Sequence, residues 1–451
     1  MKPESDSITF KAGAQELLNA DRLIKAVRTS FELIDDPFPG VAHICLADAL
    51  MSAYAMFSLK APSLLDFERT RSTEEHNLKS IYGMKAIPSD TQMRTRLDEV
   101  DPESLRPAYM AVFSQAERGK ILEKMVFMED CLLVSNDGTG YFSSEKLHSP
   151  ACLEKKNSKT GQTIYHLQML GSAIVHPDRK EVIALPPEPI RRQDGQNKND
   201  CERNASRRWL HRFRQDHPDL GVIIVEDGLG SNAPHIRDLQ EHQCHFILGL
   251  KEGDHAYLSA CLDEAVARGE TIEHDISDPK NPEVRHFCRF ANSLPLNESN
   301  RDVLVNVLEY WEAKGDATKY FCWVTDLTIN TDNAFQIMRG GRARWKVENE
   351  TFNTLKNQGY HIEHNYGLGK KNLSIVFVNL MMLAFLVDQI LQISPASLFS
   401  AALKKTGTKR ALWERARGAF YFFEVDSMET IYRLILAGRQ KLSLQPFPDT
   451  S

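Results

Sequence analysis

The residues best placed to do chemistry are two Asp-Gly pairs that follow apolar runs, and one glutamate inside a helical pattern. Asn136-Asp137-Gly138-Thr139-Gly140 follows Cys131-Leu132-Leu133-Val134, and Glu226-Asp227-Gly228-Leu229-Gly230 follows Gly221-Val222-Ile223-Ile224-Val225. Glu348 lies in Arg344-Trp345-Lys346-Val347-Glu348-Asn349-Glu350-Thr351-Phe352-Asn353-Thr354-Leu355-Lys356. Read as a helix, this stretch puts Trp345, Phe352 and Leu355 on one apolar stripe, with Glu348 inside it and Glu350 on the far side. A carboxylate on a buried face is costly unless something positive neutralises it. Acids at two strand ends and on a core-facing helix suit two divalent ions about 3.5–4 Å apart, one activating a nucleophile and one steadying a leaving oxygen. Mg²⁺ keeps several waters, so few protein carboxylates are needed. Asp137, Asp227 and Glu348 are therefore the expected catalytic acids and ligands of Mg²⁺ or Mn²⁺. Arg344 and Lys356 flank Glu348 on the same side, where they could grip phosphates. The plainer alternative, an amphipathic helix with ordinary ion pairs, leaves the acid on the apolar stripe unexplained.

Other candidates carry less. His148 and Cys152 have helical spacing for a metal pair, with Cys201 as a third ligand, but two unrelated side chains near a turn account for them. Asp194, Asp200 and Glu202 are alternative acids; the last two begin a helix, where the dipole favours negative charge. The eight cysteines are scattered without a Cys-x-x-Cys pair, and no secretory signal is expected, so they read as reduced thiols of a cytoplasmic protein. The run from Leu373 to Asp388 falls short of the ~20 apolar residues that cross a bilayer and is interrupted by Asn379, so a buried helix is expected and no membrane partner.

The elements that must position these acids follow from periodicity. A 451-residue chain exceeds the size of one core, so two or three domains are expected. Residues 1–122 show helical spacing, with a clear run from Val41 to Phe57. Residues 123–395 alternate differently. A strand ends at Asp137; strands at Thr163–Val175 and Lys180–Leu185 are joined by a turn at His176–Arg179; a helix covers Asn199–His211. A β-branched strand ends at Asp227, followed by a helix at His235–Glu241 and a strand at His245–Leu250. That order predicts an α/β fold, a mixed sheet flanked by helices, with both Asp-Gly pairs at carboxyl ends of strands where sites gather. A helix near His255–Arg268 and four strand-like runs make a β-rich insertion at about 251–331, before the Glu348 helix. Residues 396–451 form a basic helical tail in which Lys404, Lys405, Lys409, Arg410, Arg415 and Arg417 are opposed only by Glu414. The net charge of −6 does not advertise a nucleic-acid binder, but phosphate binding depends on local patches.

Around Glu348 the sequence resembles bacterial insertion-sequence transposases of the DDE superfamily, in the branch with a β-strand insertion before the last acid. That family carries Tyr-x2-Arg-x3-Glu-x6-Lys around its glutamate. Arg344 and Glu348 match in spacing, Gly341 stands at the tyrosine position, and Lys356 comes one residue late. The run from Arg344 to Tyr360, then Glu363-His364-Asn365, is similar to a subgroup of these elements, and the resemblance spans about Met125 to Gln389. It implies a ribonuclease H-like catalytic domain with Asp137, Asp227 and Glu348 as the triad. It further implies Mg²⁺-dependent hydrolysis at an element end, then attack of the freed 3′-hydroxyl on target DNA. Arg344, Lys346, Lys356, Lys370 and Lys371 would contact double-stranded DNA, both terminal inverted repeats and target, in a complex containing a homodimer. Trp311, in the insertion, is either a base-stacking residue or a core tryptophan, the second being the usual fate of the side chain. A nuclease without strand transfer and a transposase-derived DNA-binding protein are the alternatives.

Overall fold

In the computed structural model, which describes residues 18–38, 44–191, 201–251, 253–277 and 282–438, the β-branched and aromatic runs all join one eleven-stranded sheet. The strands are β1 (Val126–Met128), β2 (Cys131–Ser144), β3 (Leu153–Lys156), β4 (Thr163–Val175), β5 (Ile183–Ile190), β6 (Val222–Glu226), β7 (His245–Gly249), β8 (Ile272–Ser277), β9 (Arg285–Asn297), β10 (Asn300–Lys314) and β11 (Ala317–Thr325). The catalytic half has the spatial order β5-β4-β2-β6-β7. Its first three strands form an antiparallel meander, and β6 and β7 then add in parallel, which is the ribonuclease H-like topology. The insertion extends the same sheet, because β11 pairs antiparallel with β7 and carries β10, β9 and β8 outward.

Several expected boundaries shift: the strand expected at Lys180–Leu185 is Ile183–Ile190, and the helix expected to end at His211 runs to Asp216. β2 does not stop at Asp137 but runs on to Ser144, in register with β4 from Leu133–Val175 to Ser144–Tyr165. Asp137-Gly138 is strand, not turn, because the ladder to the long β4 continues across it. Asp227-Gly228 does leave its strand, as expected.

Among the described residues six α-helices precede the sheet: α1 (Ala20–Glu32), α2 (Leu46–Ser58), α3 (Leu64–Thr73), α4 (Glu75–Tyr82), α5 (Asp90–Asp98) and α6 (Arg106–Arg118). The foretold helical run from Val41 begins at Leu46, with Val41 to His43 outside the described residues. Within the sheet region, α7 (Glu202–Asp216) precedes β6, α8 (Ala233–Glu241) joins the parallel pair β6 and β7, and α9 (Ala256–Ala267) precedes β8. After β11 come α10 (Ala334–Ala343), a π-helical turn at Val347–Phe352, α11 (Asn353–Asn357) and α12 (Leu373–Ile393), then α13 (Leu398–Thr406), α14 (Lys409–Phe422) and α15 (Met428–Ala437).

Helix α12 is the helix among the described residues long and apolar enough to cross a membrane, yet every residue in it except Gln392 is buried in protein. A helix apolar all round needs partners on all sides. Here β5, α2, α5, α6 and α13 supply them. Its polar groups are answered: Gln389 Oε1 accepts from the Val182 amide at 3.2 Å, and the Asn379 carbonyl accepts from Tyr109 at 2.6 Å. Asp388 accepts from the Tyr360 hydroxyl and sits 2.5 Å from the Lys60 ammonium.

Candidate active site

The parallel register of β2 and β6 sets Ser135 beside Val225, so Asn136-Asp137 and Glu226-Asp227 leave that pairing side by side. Asn136 ties the two strands by donating from Nδ2 to Glu226 Oε1 at 2.9 Å. Each aspartate is fixed by a local bond: Asp137 Oδ1 accepts from the Gly138 amide at 2.8 Å, and Asp227 Oδ1 from the Leu229 amide at 2.9 Å.

Glu348 reaches them from the π-helical turn, where the Asn353 amide bonds back to the Glu348 carbonyl. One extra residue per turn changes the helical phase, and such turns recur at functional sites. The expected stripe is corrected accordingly: Val347, Thr351, Phe352 and Leu355 are buried, Trp345 is 49% exposed, and the Glu348 side chain is 39% exposed. Glu348 thus borders the apolar face instead of lying within it. Two contacts seat this turn on the sheet. Ser135 Oγ donates to the Arg344 carbonyl at 3.0 Å. Phe352 lies on Gly171, where a Cβ would stand 2.4 Å from a ring carbon. Gly171 is the cross-strand partner of Asp137, so the missing side chain lets the Glu348 helix approach at that level.

Arg344 does not project as a free phosphate grip. Its Nη1 lies 3.2 Å from both Asp137 Oδ2 and Glu348 Oε1, and its guanidinium stacks on Trp345 at 4.4 Å. It does not cancel the local charge. Burial, reinforced by the neighbouring Glu348 carboxyl, outweighs Arg344 and pushes Asp137 up to about 7. Asp227 faces the Lys251 ammonium at 3.7 Å. Glu226 is held below the usual carboxylate range: burial opposes this, but His235 at 2.8 Å, with Asn136 and Ser206, wins. Reciprocally, Glu226 overcomes burial and raises the His235 imidazole. Burial, and then the charges of Asp227 and Glu226, push Glu202 up.

Asp137, Asp227, Glu202 and Glu226 line one cavity of about 210 Å³ with Asn136 and His235. Beyond Asp227, Lys251, Tyr320, Trp323, Arg344 and Trp345 line a second cleft of about 300 Å³. A divalent cation fits this donor set, because the donors are hard carboxylate oxygens. Among the described residues no three His, Cys, Asp or Glu side chains stand within range of a single ion; Asp137 and Glu348 both contact Arg344, and Asp137 lines one cavity with Asp227.

The other sequence candidates lie as follows. Lys346 donates to the Arg179 carbonyl, Lys356 pairs with Glu363 at 3.0 Å, and Lys371 pairs with Glu99 at 2.5 Å. Lys370 is exposed, its backbone amide held by Asp98. Trp311 is half-buried instead of in the core, its ring against Phe287 and Tyr320. His148 stacks on Tyr165 and Cys152 is buried beside Ser149, while Cys201 precedes α7, and no metal cluster joins them among the described residues. Asp194 and Asp200 lie outside the described residues. Sequence reasoning missed Gly171 and the Glu226–His235 pair. A lone glycine in a strand opposite an acid was the available signal for the first; the second had none.

A family model of the transposase DDE domain matches residues 155–386, just over half of the chain. The chain belongs to the transposase DDE domain family. It is a DNA transposase, from a family that catalyses DNA cleavage and strand transfer and uses divalent metal ions. Asp227 and Glu348 fall inside the matched span, and Asp137 precedes it. At Gly341 the Trp323 indole fills the side-chain space: a Cβ would meet Nε1 at 2.4 Å. No curated protein matches the chain. Among solved structures it is similar to the piggyBac transposase synaptic complex with hairpin DNA, at 11% identity and TM-score 0.39, over 97% of this chain and 86% of that one.

Proposed function

We propose that Asp137, Asp227 and Glu348 are the acids of this transposase and hold Mg²⁺ or Mn²⁺ while it cuts double-stranded DNA at element ends and joins those ends to a target. The observation that carries the reading is the convergence of Asp137 and Glu348 on one arginine, beside the cavity that Asp137 shares with Asp227. A bound divalent ion would lower the pKa of the attacking oxygen and offset charge on the leaving one. The remaining work belongs to side chains. Water adds to a phosphodiester phosphorus as the bond to the 3′ oxygen breaks, leaving a 5′-phosphate and a 3′-hydroxyl. That hydroxyl then attacks a target phosphorus and displaces a target 3′ oxygen. Arg344 holds Asp137 and Glu348 together before DNA arrives. Trp345 and Tyr320, both exposed at the cleft beside Asp227, offer flat faces to an unstacked base.

The test uses the full chain with DNA carrying the ends that flank its reading frame. Glu348→Gln should lose cleavage by about 10²-fold or more, an order-of-magnitude expectation for a charge acting on the reacting centre, while Glu350→Gln retains it. Loss confined to the Glu350 variant would overturn the assignment. Cleavage without joining would make the protein a nuclease.

A further inference from the structure

Glu202, the first residue of α7, is directed inward over the strand that carries the first acid. A Cβ on Gly138 would lie 2.1 Å from its Oε1 and 2.4 Å from its Cδ, so the carboxylate occupies the space that a side chain beside Asp137 would take. Among the described residues Glu202 has no ion pair and no hydrogen bond. Two basic side chains on the cavity wall are engaged elsewhere, Arg207 with Asp238 at 2.9 Å and His235 with Glu226 at 2.8 Å, and Arg203 is exposed. The helix dipole favours an acid at this position, but it is satisfied by one pointing into solvent. It does not explain a half-buried carboxylate seated on a glycine and sharing a cavity with Asp137, Asp227 and Glu226.

A second observation points to a cation. Asn136 is 5% exposed and lines the same cavity, and its Oδ1 has no hydrogen-bond partner because its amide nitrogen is committed to Glu226. A buried carbonyl-type oxygen without a donor is rare. An unpaired carboxylate and an unpaired amide oxygen on one wall are what a hard cation takes, and Mg²⁺ needs only one or two carboxylates besides water.

We propose that Glu202 is a fourth acid of the site and, with Asp227 and Asn136 Oδ1, holds a divalent cation on the α7 side of β2. Asp137 and Glu348 form the donor pair where the π-helical turn meets the sheet. This rests on the three-acid reading above, and the experiment separates the two. The full-length chain, stripped of metal, is titrated with Mn²⁺ by calorimetry, without DNA. Glu202→Gln should weaken Mn²⁺ binding about tenfold or more, or remove one equivalent. Gly138→Ala should do the same with the glutamate still present, because its methyl fills the seat; circular dichroism should show both variants folded. Should Gly138→Ala fail to fold, Glu202→Gln decides alone. Unchanged binding in Glu202→Gln with weakened binding in Asp227→Asn would overturn this inference alone. Unchanged binding in both would overturn the three-acid reading as well.

Discussion

Arg344 is the residue on which the site's charge balance turns, and Asp137 is where the imbalance shows. An acid pushed up to about 7 binds in the folded chain a proton that the unfolded chain, with its carboxyl near 4, has already released. Without metal, Asp137 therefore subtracts stability progressively as pH rises from about 4 to 7, and it costs nothing below that window. Asp137→Asn in chelator should melt higher than the parent, by a margin that grows between about pH 4 and 7. Excess Mg²⁺ should erase that margin by stabilising only the parent. A margin constant across pH would mean that Asp137 is not the strained group. Gly171 gives a second prediction. Gly171→Ala must push Phe352 aside and lift the Glu348 turn from β4, so cleavage should fall at least tenfold while the sheet survives, read by end-cleavage assay beside circular dichroism. Asp227 stands out in the sequence because a β-branched run ends beside it, whereas the stripe that singled out Glu348 is redrawn by the π-helical turn. Gly171 and the double bridge of Arg344 were not legible, since both depend on which residues face each other across separate elements.

Among the elements, long periodic runs were readable and exceptions to periodicity were not. The strands at Thr163–Val175 and Val222–Glu226 and the helix at Ala233–Glu241 follow directly from β-branched runs and apolar spacing. Strand β2 was cut short because Asp-Gly reads as a turn, although here the glycine accommodates Glu202. The π-helical turn misplaced Trp345 because it breaks the 3.6-residue phase on which the stripe was drawn. The basic tail changes most in meaning. Lys405 bonds the Leu436 carbonyl and Arg417 bonds the Leu59 and Lys60 carbonyls, so these two are structural, and burial lowers the Lys409 ammonium. Lys404, Arg410 and Arg415 remain exposed. If they touch duplex DNA, replacing all three with Ala should flatten the slope of log affinity against log salt by about 0.9 for each phosphate no longer neutralised. An unchanged slope, measured by fluorescence anisotropy, would leave this face to solvent.

At the scale of the whole molecule, helices from both ends of the described residues close on the same helix. Helices α1 and α2 from the beginning and α13 from the end pack on α12, and α1 also meets α15. At the centre of that assembly Lys60 is fully buried against Asp388, with its ammonium 4.5 Å from the Tyr360 ring and 4.2 Å from the Trp413 ring. Removing one member of a buried pair strands the other charge. Lys60→Met should therefore cost about 3–5 kcal/mol in urea unfolding, and adding Asp388→Leu should recover much of it. Equal losses in the single and double variants would refute the pairing. No local pattern announces this pair, because it joins residues 328 positions apart. Its position in the chain has a consequence for synthesis. Helix α12 leaves the ribosome before α13 to α15 exist, so a nascent or truncated chain ending near Ser397 exposes one flank of a mostly apolar helix and lacks the Trp413 side of the Lys60 pocket. Folding of the helical body must await the last segment, and an element that acquires an early stop codon would encode an aggregating fragment, not a half-working enzyme.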